Sequence, residues 1–144
     1  AHPARDAYLA ETKQQLRKTG VVESHFGRKR WIYKSWSHDP REFQEALREG
    51  ANMRVQGTAA DILKIALVTI DGELRKHYLT SRLVSTVHDE VVLEVADDEV
   101  LRVAYLVNQA FSGLLPGMTL PVEVSLGKDW GHMDLYEWEK LWNT

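Results

Sequence analysis

The stretch from Leu83 to Glu94 reads LVSTVHDEVVLE, and it predicts the central structural unit of this chain. Two apolar arms rich in β-branched residues enclose three polar residues, His88, Asp89 and Glu90. Such arms predict two antiparallel strands joined by a tight turn. Because neighbouring residues on a strand point to opposite faces, Asp89 and Glu90 can serve one ligand only if they project from the turn. The sequence therefore predicts a β-hairpin with carboxylates at its tip.

Paired carboxylates at a hairpin tip have a specific chemical use. Their oxygens are hard ligands that suit Mg²⁺ or Mn²⁺, and the apolar arms would hold them rigidly, as a metal site requires. The alternative is an ordinary polar turn, with His88 as a hydrogen-bonded structural residue rather than a group that reaches a phosphate or sugar. The sequence contains no HExxH zinc spacing, no GxSxG, no Walker loop and no GxGxxG.

Helical and strand patterns surround this hairpin. They alternate without regular βαβ repeats, which indicates an α+β fold in which long helices pack on a small antiparallel sheet containing the hairpin. With no repeat, low-complexity tract or linker, residues 1–144 read as one domain. The predicted helices are 3–19, 39–53, 55–77, 97–115 and 134–142; the predicted strands lie within 21–33 (a hairpin around Gly27), 82–87, 91–95 and 120–127, and 34–40 is a loop.

Composition excludes several classes of protein. The 144 residues include no cysteine, so disulfides and cysteine-based metal clusters are ruled out. The N-terminal segment is polar and no apolar run approaches the roughly 18 residues of a membrane span, so neither a signal peptide nor a membrane anchor is predicted. The net charge is −3, and a nucleic-acid-binding surface would therefore have to be local.

One such local surface is the segment FGRKRWIYK, which interleaves cations with aromatic residues. Arg28, Lys29 and Arg30 are adjacent, and phosphate groups are natural partners for three neighbouring cations. The alternative is a solvated surface turn.

A second surface follows in REGANMRVQGTAAD, where Arg48, Asn52 and Gln56 recur every four residues. On a continuous helix they would share one face. Their donors match the N3 and O2 acceptors that every base pair presents in the minor groove, so the row would sense duplex shape without reading sequence. The alternative is a solvated face. Thr58 and Asp61 resemble a capping box, which predicts that a new helix begins there.

The strings VVESHFGRKRW, REGANMRVQGTAADILKIAL, LVSTVHDEVVLEV and LPVEVSLGKDW, in this order, resemble the C-terminal part of family A DNA polymerases, the polymerase I type. The resemblance runs from about Tyr8 to Trp130, whereas the tail from Gly131 onward is not matched. Arg54 stands where the family often has proline, which leaves the expected bend there open.

The resemblance implies roles for the matched residues. Asp89 would be a ligand of the catalytic metal ions, Mg²⁺ or Mn²⁺, with Glu90 supporting the site and His88 near the primer terminus. Arg48, Asn52 and Gln56 would follow the minor groove of the new duplex. The residues near the nucleic-acid backbone would be Arg28, Lys29 and Arg30.

The chain also departs from the family pattern. The first palm motif, with its second metal-binding aspartate, is missing, and Asp71–Arg75 is only a misplaced echo of it. The fingers helix that holds the incoming nucleotide and the thumb are missing too. We therefore expect the C-terminal palm segment of a split or cleaved polymerase, inactive alone, that works in the cytoplasm of a bacterial or phage-infected cell, or in an organelle. Its expected partners are primer–template DNA, deoxynucleoside triphosphates and a second polypeptide that supplies the missing parts.

Other functions remain open at this point. The chain could be a duplex-binding module derived from a polymerase that has lost catalysis, or an unrelated α+β domain. A single-subunit RNA polymerase of the phage type is disfavoured by Glu90, because that branch carries serine after His-Asp.

Overall fold

The structure, a computed structural model, describes residues 2–137 and 140–141. It confirms the α+β class, with helices and two-stranded antiparallel sheets. The chain forms two compact units, residues 1–61 and 62–144. The elements are α1 (Pro3–Thr19), β1 (Val21–Glu23), β2 (Lys29–Trp31), a short 3₁₀ helix (Tyr33–Trp36), α2 (Pro40–Lys76), β3 (Arg82–Val87), β4 (Glu90–Glu94), α3 (Val100–Phe111), β5 (Ser125–Asp129) and β6 (His132–Leu135).

In the first unit, α1 has the predicted bounds. Pro3 occupies the first turn, and Gly20 ends the helix with φ +68°, its N–H donating to the carbonyl of Leu16 at 2.9 Å. Glycine suits this position because it adopts positive φ at little cost. The core of the unit joins α1, the β1–β2 hairpin and the first part of α2. Its buried members are Leu16, Val22, Ile32, Ala46 and Met53.

Helix α2 is continuous, so the predicted break between residues 53 and 55 is wrong, and Arg54 lies within the helix. The two glycines that suggest the break serve packing instead. A Cβ on Gly50 would lie 3.1 Å from side-chain atoms of both Leu16 and Val22, and a Cβ on Gly57 would lie 3.3 Å from Ser24. The glycines therefore allow α1 and the β1–β2 hairpin to approach the helix closely.

The beginning of α2 agrees with the prediction. Asp39 Oδ1 accepts a hydrogen bond from the N–H of Arg41 at 2.8 Å, and Pro40 is the first helical residue. The predicted loop before it contains the 3₁₀ helix, which ends where the N–H of Ser37 donates to the carbonyl of Lys34.

In the second unit, the β3–β4 hairpin packs with the last part of α2 and with α3. Leu83 and Leu93, one from each strand, contact a buried helical cluster. Helix α3 is shorter than predicted, because Ser112 leaves the helical conformation and Gly113 follows with φ +71°. The buried cluster consists of Ala66, Ile70, Leu74, Val103, Val107 and Ala110.

The C-terminal predictions are largely wrong. Residues 120–124 are not a strand, because β6 pairs only with residues 125–129. The predicted helix 134–142 begins inside β6, which includes Asp134 and Leu135. Trp138, Glu139 and Trp142 lie outside the described residues. None of the helices that residues 2–137 and 140–141 form combines the length and the apolar character needed to span a bilayer.

Candidate functional site

The tip of the β3–β4 hairpin is a two-residue turn made of His88 and Asp89. Val87 pairs with Glu90 across it, so Glu90 is the first residue of β4 rather than part of the turn. All three polar residues are exposed to solvent. His88 has φ +55°, in the left-handed region that glycine adopts more readily than other residues. The histidine is therefore held in a conformation that few side chains favour.

The base of the hairpin is anchored by Glu99, which precedes α3. Its carboxylate accepts hydrogen bonds from the backbone N–H of Thr80 and of Ser81, both at 2.9 Å, and from the two hydroxyls. The hydrogen bond from the Ser81 hydroxyl has the largest effect on the pKa of Glu99, and together with the other hydrogen bonds it lowers this pKa to about 2. The Ser81 hydroxyl also accepts the N–H of Ala96 at 3.2 Å. The residues that enter and leave the hairpin are thus tied together.

The hairpin tip alone provides few metal ligands. Within residues 2–137 and 140–141, no group of three or more histidine, aspartate or glutamate side chains is arranged to hold a metal ion. Asp89 and Glu90 are hard oxygen donors of the kind that Mg²⁺ and Mn²⁺ prefer, but such ions take about six ligands. The tip fits a metal site in ligand type and falls short in ligand number.

The predicted minor-groove row lies on α2 in the first unit. Because the helix is continuous, Arg48, Asn52 and Gln56 share one face at successive turns, and all three are exposed. Their side chains make no hydrogen bond or ion pair with the described part of the chain. Their donors are available to an external partner.

The predicted phosphate-binding cations lie on the β1–β2 hairpin, but two of the three have partners within the chain. Arg28 Nε donates to Asp61 Oδ1 at 2.9 Å, a contact that raises the pKa of Arg28, and Arg30 Nη2 lies 2.9 Å from Glu49 Oε1. Lys29 is exposed and makes no ion pair with any described residue. Arg28 and Arg30 stay charged but have carboxylate partners, whereas Lys29 makes no ion pair among the described residues and is available to an external phosphate.

The supposed capping box has a different use. Thr58 Oγ1 donates to the carbonyl of Arg54 at 2.7 Å and accepts the N–H of His25 at 3.0 Å. Asp61 accepts the hydroxyl of Ser24 at 2.9 Å in addition to Arg28. These two side chains fasten the β1–β2 turn to the middle of α2, so the prediction that a helix begins at Thr58 is wrong.

Sequence patterns also miss a polar cluster around Arg54. Its Nη1 donates to Thr12 Oγ1 and its Nη2 to Glu11 Oε1, both at 2.9 Å, and its guanidinium lies 4.8 Å from the ring centre of Tyr8. The Tyr8 hydroxyl donates to the carbonyl of Ala51 at 2.7 Å. The partners are more than 40 residues apart, so no local signal could reveal them.

Comparisons with known proteins agree with the arrangement of these segments. The family model for DNA polymerase family A matches residues 1–132. Thermostable DNA polymerase I of Thermus thermophilus is 38% identical over 131 residues, which cover 90% of this chain and 16% of that protein. DNA polymerase I of Mycobacterium leprae (strain TN) is 34% identical over 126 residues, covering 86% of this chain and 14% of that protein.

A solved structure is similar as well. The POL domain of Pol1 from M. smegmatis, in complex with DNA primer-template and dNTP, matches with a TM-score of 0.71 and 32% identity over 77% of this chain and 20% of that chain. The present chain thus spans roughly a sixth of the curated relatives it matches. Its sequence and its fold both place it in DNA polymerase family A.

Proposed function

We propose that this chain is the C-terminal palm segment of a template-directed DNA polymerase, and that it is incomplete without the first palm motif and the fingers. Its substrates are primer–template DNA and deoxynucleoside triphosphates. The observation that carries the proposal is the exposed Asp89 at a two-residue turn whose strands are anchored in a buried core, in a chain of family A. The bacterial relatives favour the cytoplasm of a bacterial or phage-infected cell as its place of action.

Asp89, in the turn, would hold the divalent metal, Mg²⁺ or Mn²⁺, with its carboxylate oxygens, and Glu90, the first residue of β4, would support the site beside it. When bound, such ions neutralise charge on the transferred phosphate and favour ionisation of the primer 3′-hydroxyl. The hairpin itself contributes rigidity: the core contacts of Leu83 and Leu93 and the hydrogen bonds to Glu99 restrict motion of the tip. Such rigidity is useful because a misplaced ligand weakens positioning of the reacting groups.

The shortage of ligands at the tip supports a role for a second polypeptide. Two adjacent carboxylates do not complete the coordination of a metal pair and a triphosphate. A partner chain would add the missing aspartate and the groups that hold the incoming nucleotide. The chain alone would then bind duplex DNA without extending a primer.

The remaining role of this chain is to hold the new duplex. Arg48, Asn52 and Gln56 present donors along one exposed helical face, and these would contact the minor-groove acceptors of successive base pairs. His88 would contact the primer end, and the exposed Lys29, with Arg28 and Arg30 to a smaller extent, would lie near phosphates. This set provides orientation and no sequence preference.

The test begins with mass spectrometry of the native preparation, which identifies any polypeptide that co-purifies. The complex is then assayed by primer extension with wild-type chain, Asp89→Asn, and the matched control Asp98→Asn, which alters an exposed carboxylate in the β4–α3 loop. We expect Asp89→Asn to reduce extension by more than about 100-fold, since it removes a proposed metal ligand. Duplex affinity should stay within about twofold, and Asp98→Asn should behave as wild type.

Two results would contradict the proposal. If the purified chain extends a primer alone, the need for a partner is wrong. If Asp89→Asn and Asp98→Asn extend equally well in the complex, Asp89 is not a metal ligand.

A second candidate is a non-catalytic duplex-binding module, which the small number of metal ligands among the described residues favours. The same assays separate it from the first. Such a module would bind duplex DNA through the row of Arg48, Asn52 and Gln56 on α2. No partner polypeptide would enable it to extend a primer, so Asp89→Asn would have no extension to abolish.

A further inference from the structure

We propose that one face of the β1–β2 hairpin is a stacking surface for unpaired nucleic-acid bases. This surface, here called the aromatic face, consists of Lys29, Trp31 and Trp36. It lies entirely within the first unit of the chain. The inference rests on the proposed polymerase function, because that function supplies the unpaired strand. This strand is the template beyond the duplex.

The strand register explains why Trp31 is on an outer face. Val22 pairs with Arg30; Val22 is buried in the core, and Arg30 makes its ion pair with Glu49 of α2. Directly paired residues share a face of a hairpin, so this face covers α2. Lys29 and Trp31 flank Arg30 and therefore point away from the helix.

Trp36 joins this face from the 3₁₀ helix. Its ring centre lies 6.4 Å from that of Trp31, with an angle of 44° between the planes. The ring is seated over Gly20, where an added Cβ would lie 2.4 Å from Trp36 Cζ2. The missing side chain at the end of α1 thus makes room for the indole, which positions it before any ligand arrives.

Large aromatic surfaces remain in solvent here. The exposed fractions are 57% for Trp31 and 50% for Trp36. Bases stack on such side chains in a sequence-tolerant way, because every base presents a π face. A neighbouring exposed cation completes the usual arrangement, in which phosphates follow positive charge while bases follow the rings.

The charges favour a nucleic-acid strand over a peptide. Lys29 is exposed beside Trp31 without an ion pair among the described residues, and Arg30 and Lys34 lie close by on either side in sequence. Lys34 and Arg30 are themselves paired with Glu45 and Glu49. Both of these cations are held by carboxylates of α2, whereas Lys29 shares the face of Trp31 and can contact a phosphate there.

The test measures binding of fluorescein-labelled 12-nucleotide oligo(dT) and of a blunt-ended DNA duplex to the purified chain by fluorescence anisotropy at one fixed salt concentration. The variants are Trp31→Ala, Trp31→Phe and the matched control Trp130→Ala. Trp130 is 56% exposed on a different hairpin, so Trp130→Ala removes an exposed tryptophan and leaves the aromatic face unchanged. Circular dichroism verifies that each variant remains folded.

We expect Trp31→Ala to weaken oligo(dT) binding about fivefold or more, since that is the lower end for loss of one stacked base. Trp31→Phe should retain most of the affinity, and Trp130→Ala should lie within about twofold of wild type. The duplex affinity of Trp31→Ala should also change by less than about twofold, because a blunt duplex has no unpaired base to stack.

Equal oligo(dT) affinity of wild type and Trp31→Ala would overturn the proposal, as would a failure of the wild-type chain to bind oligo(dT). Preferential binding of a proline-rich peptide through Trp31 would also overturn it and would point to a protein partner. A third outcome separates the two proposals. If the wild-type chain binds oligo(dT) but not duplex DNA, and Trp31→Ala no longer binds oligo(dT), the aromatic face is supported and the polymerase role is contradicted. The two proposals therefore fail separately.

Discussion

Replacement of Arg54 by methionine provides a direct test of how α1 is held on α2. Methionine keeps the long stem and the helix propensity of arginine, so the change removes mainly the guanidinium. That group contacts Thr12, Glu11 and the ring of Tyr8, and its side chain is only 17% exposed. We expect Arg54→Met to destabilise the first unit of the chain.

The size of the effect follows from the three contacts. The hydrogen bond to Thr12, a fully buried residue, involves a charged donor and contributes about 1.5 kcal/mol. Glu11 is mostly exposed, so its ion pair contributes about 0.5 kcal/mol. The cation–π contact with Tyr8 adds about 0.5 kcal/mol. Because the contacts share one group, the total loss should be about 2 kcal/mol.

Urea unfolding followed by far-ultraviolet circular dichroism measures this loss. Arg41→Met is the matched control, because Arg41 is exposed on the same helix and its side chain makes no ion pair with the described residues; its effect should lie within about 0.5 kcal/mol. A double-mutant cycle of Arg54→Met with Thr12→Val should give a coupling energy above about 0.5 kcal/mol. If Arg54→Met is as stable as Arg41→Met, the network does not hold the two helices together.

Two further predictions concern the β3–β4 hairpin. The pKa of Glu99 falls from 4.5 to about 2, so its stabilising effect is present above about pH 4.5 and is lost as the pH falls towards 2. In urea unfolding, Glu99→Gln should be less stable than wild type at about pH 6, and the difference should shrink across this range; a constant difference would contradict the assigned hydrogen bonds. His88→Gly relieves positive φ and should raise the free energy of unfolding by about 1 kcal/mol, whereas a loss of stability would mean that His88 makes contacts beyond the turn.

Local patterns predict the parts of the fold that depend on neighbouring residues. Proline at the beginning and glycine at the end predict α1 with its observed bounds. The apolar arms around His88 and Asp89 predict a two-strand hairpin, and the structure shifts its second strand by one residue, from 91–95 to Glu90–Glu94. These signals are reliable because turn geometry and helix termini are set within a few residues.

Contacts between distant segments explain the wrong predictions. Gly50 and Gly57 resemble helix breakers in sequence, yet they lie inside α2 because Leu16, Val22 and Ser24 approach the helix there. The gain from close packing exceeds the cost of about 1 kcal/mol for a glycine within a helix. Sequence alone contains no information about which residues will fill the space that a glycine leaves.

The candidate site also has a part that local sequence predicts and a part that depends on distant residues. The residue types and spacing of Arg48, Asn52 and Gln56 indicate their chemistry, and a continuous helix is enough to align them. Which cations remain available is a different matter. Arg28 and Arg30 are paired with carboxylates from α2, 33 and 19 residues away, while Lys29 between them is not.

By itself, the sequence of this chain determined the polymerase family, the hairpin with Asp89 at its tip and the regular spacing of the α2 row, because each depends on local order along the chain. Tertiary structure alone decided that α2 continues through its glycines, that Glu99 anchors the hairpin and that Trp31 and Trp36 share an exposed face. The physical reason is that burial, ion pairing and solvent exposure depend on residues far apart in sequence. Only the folded chain brings those residues within contact distance.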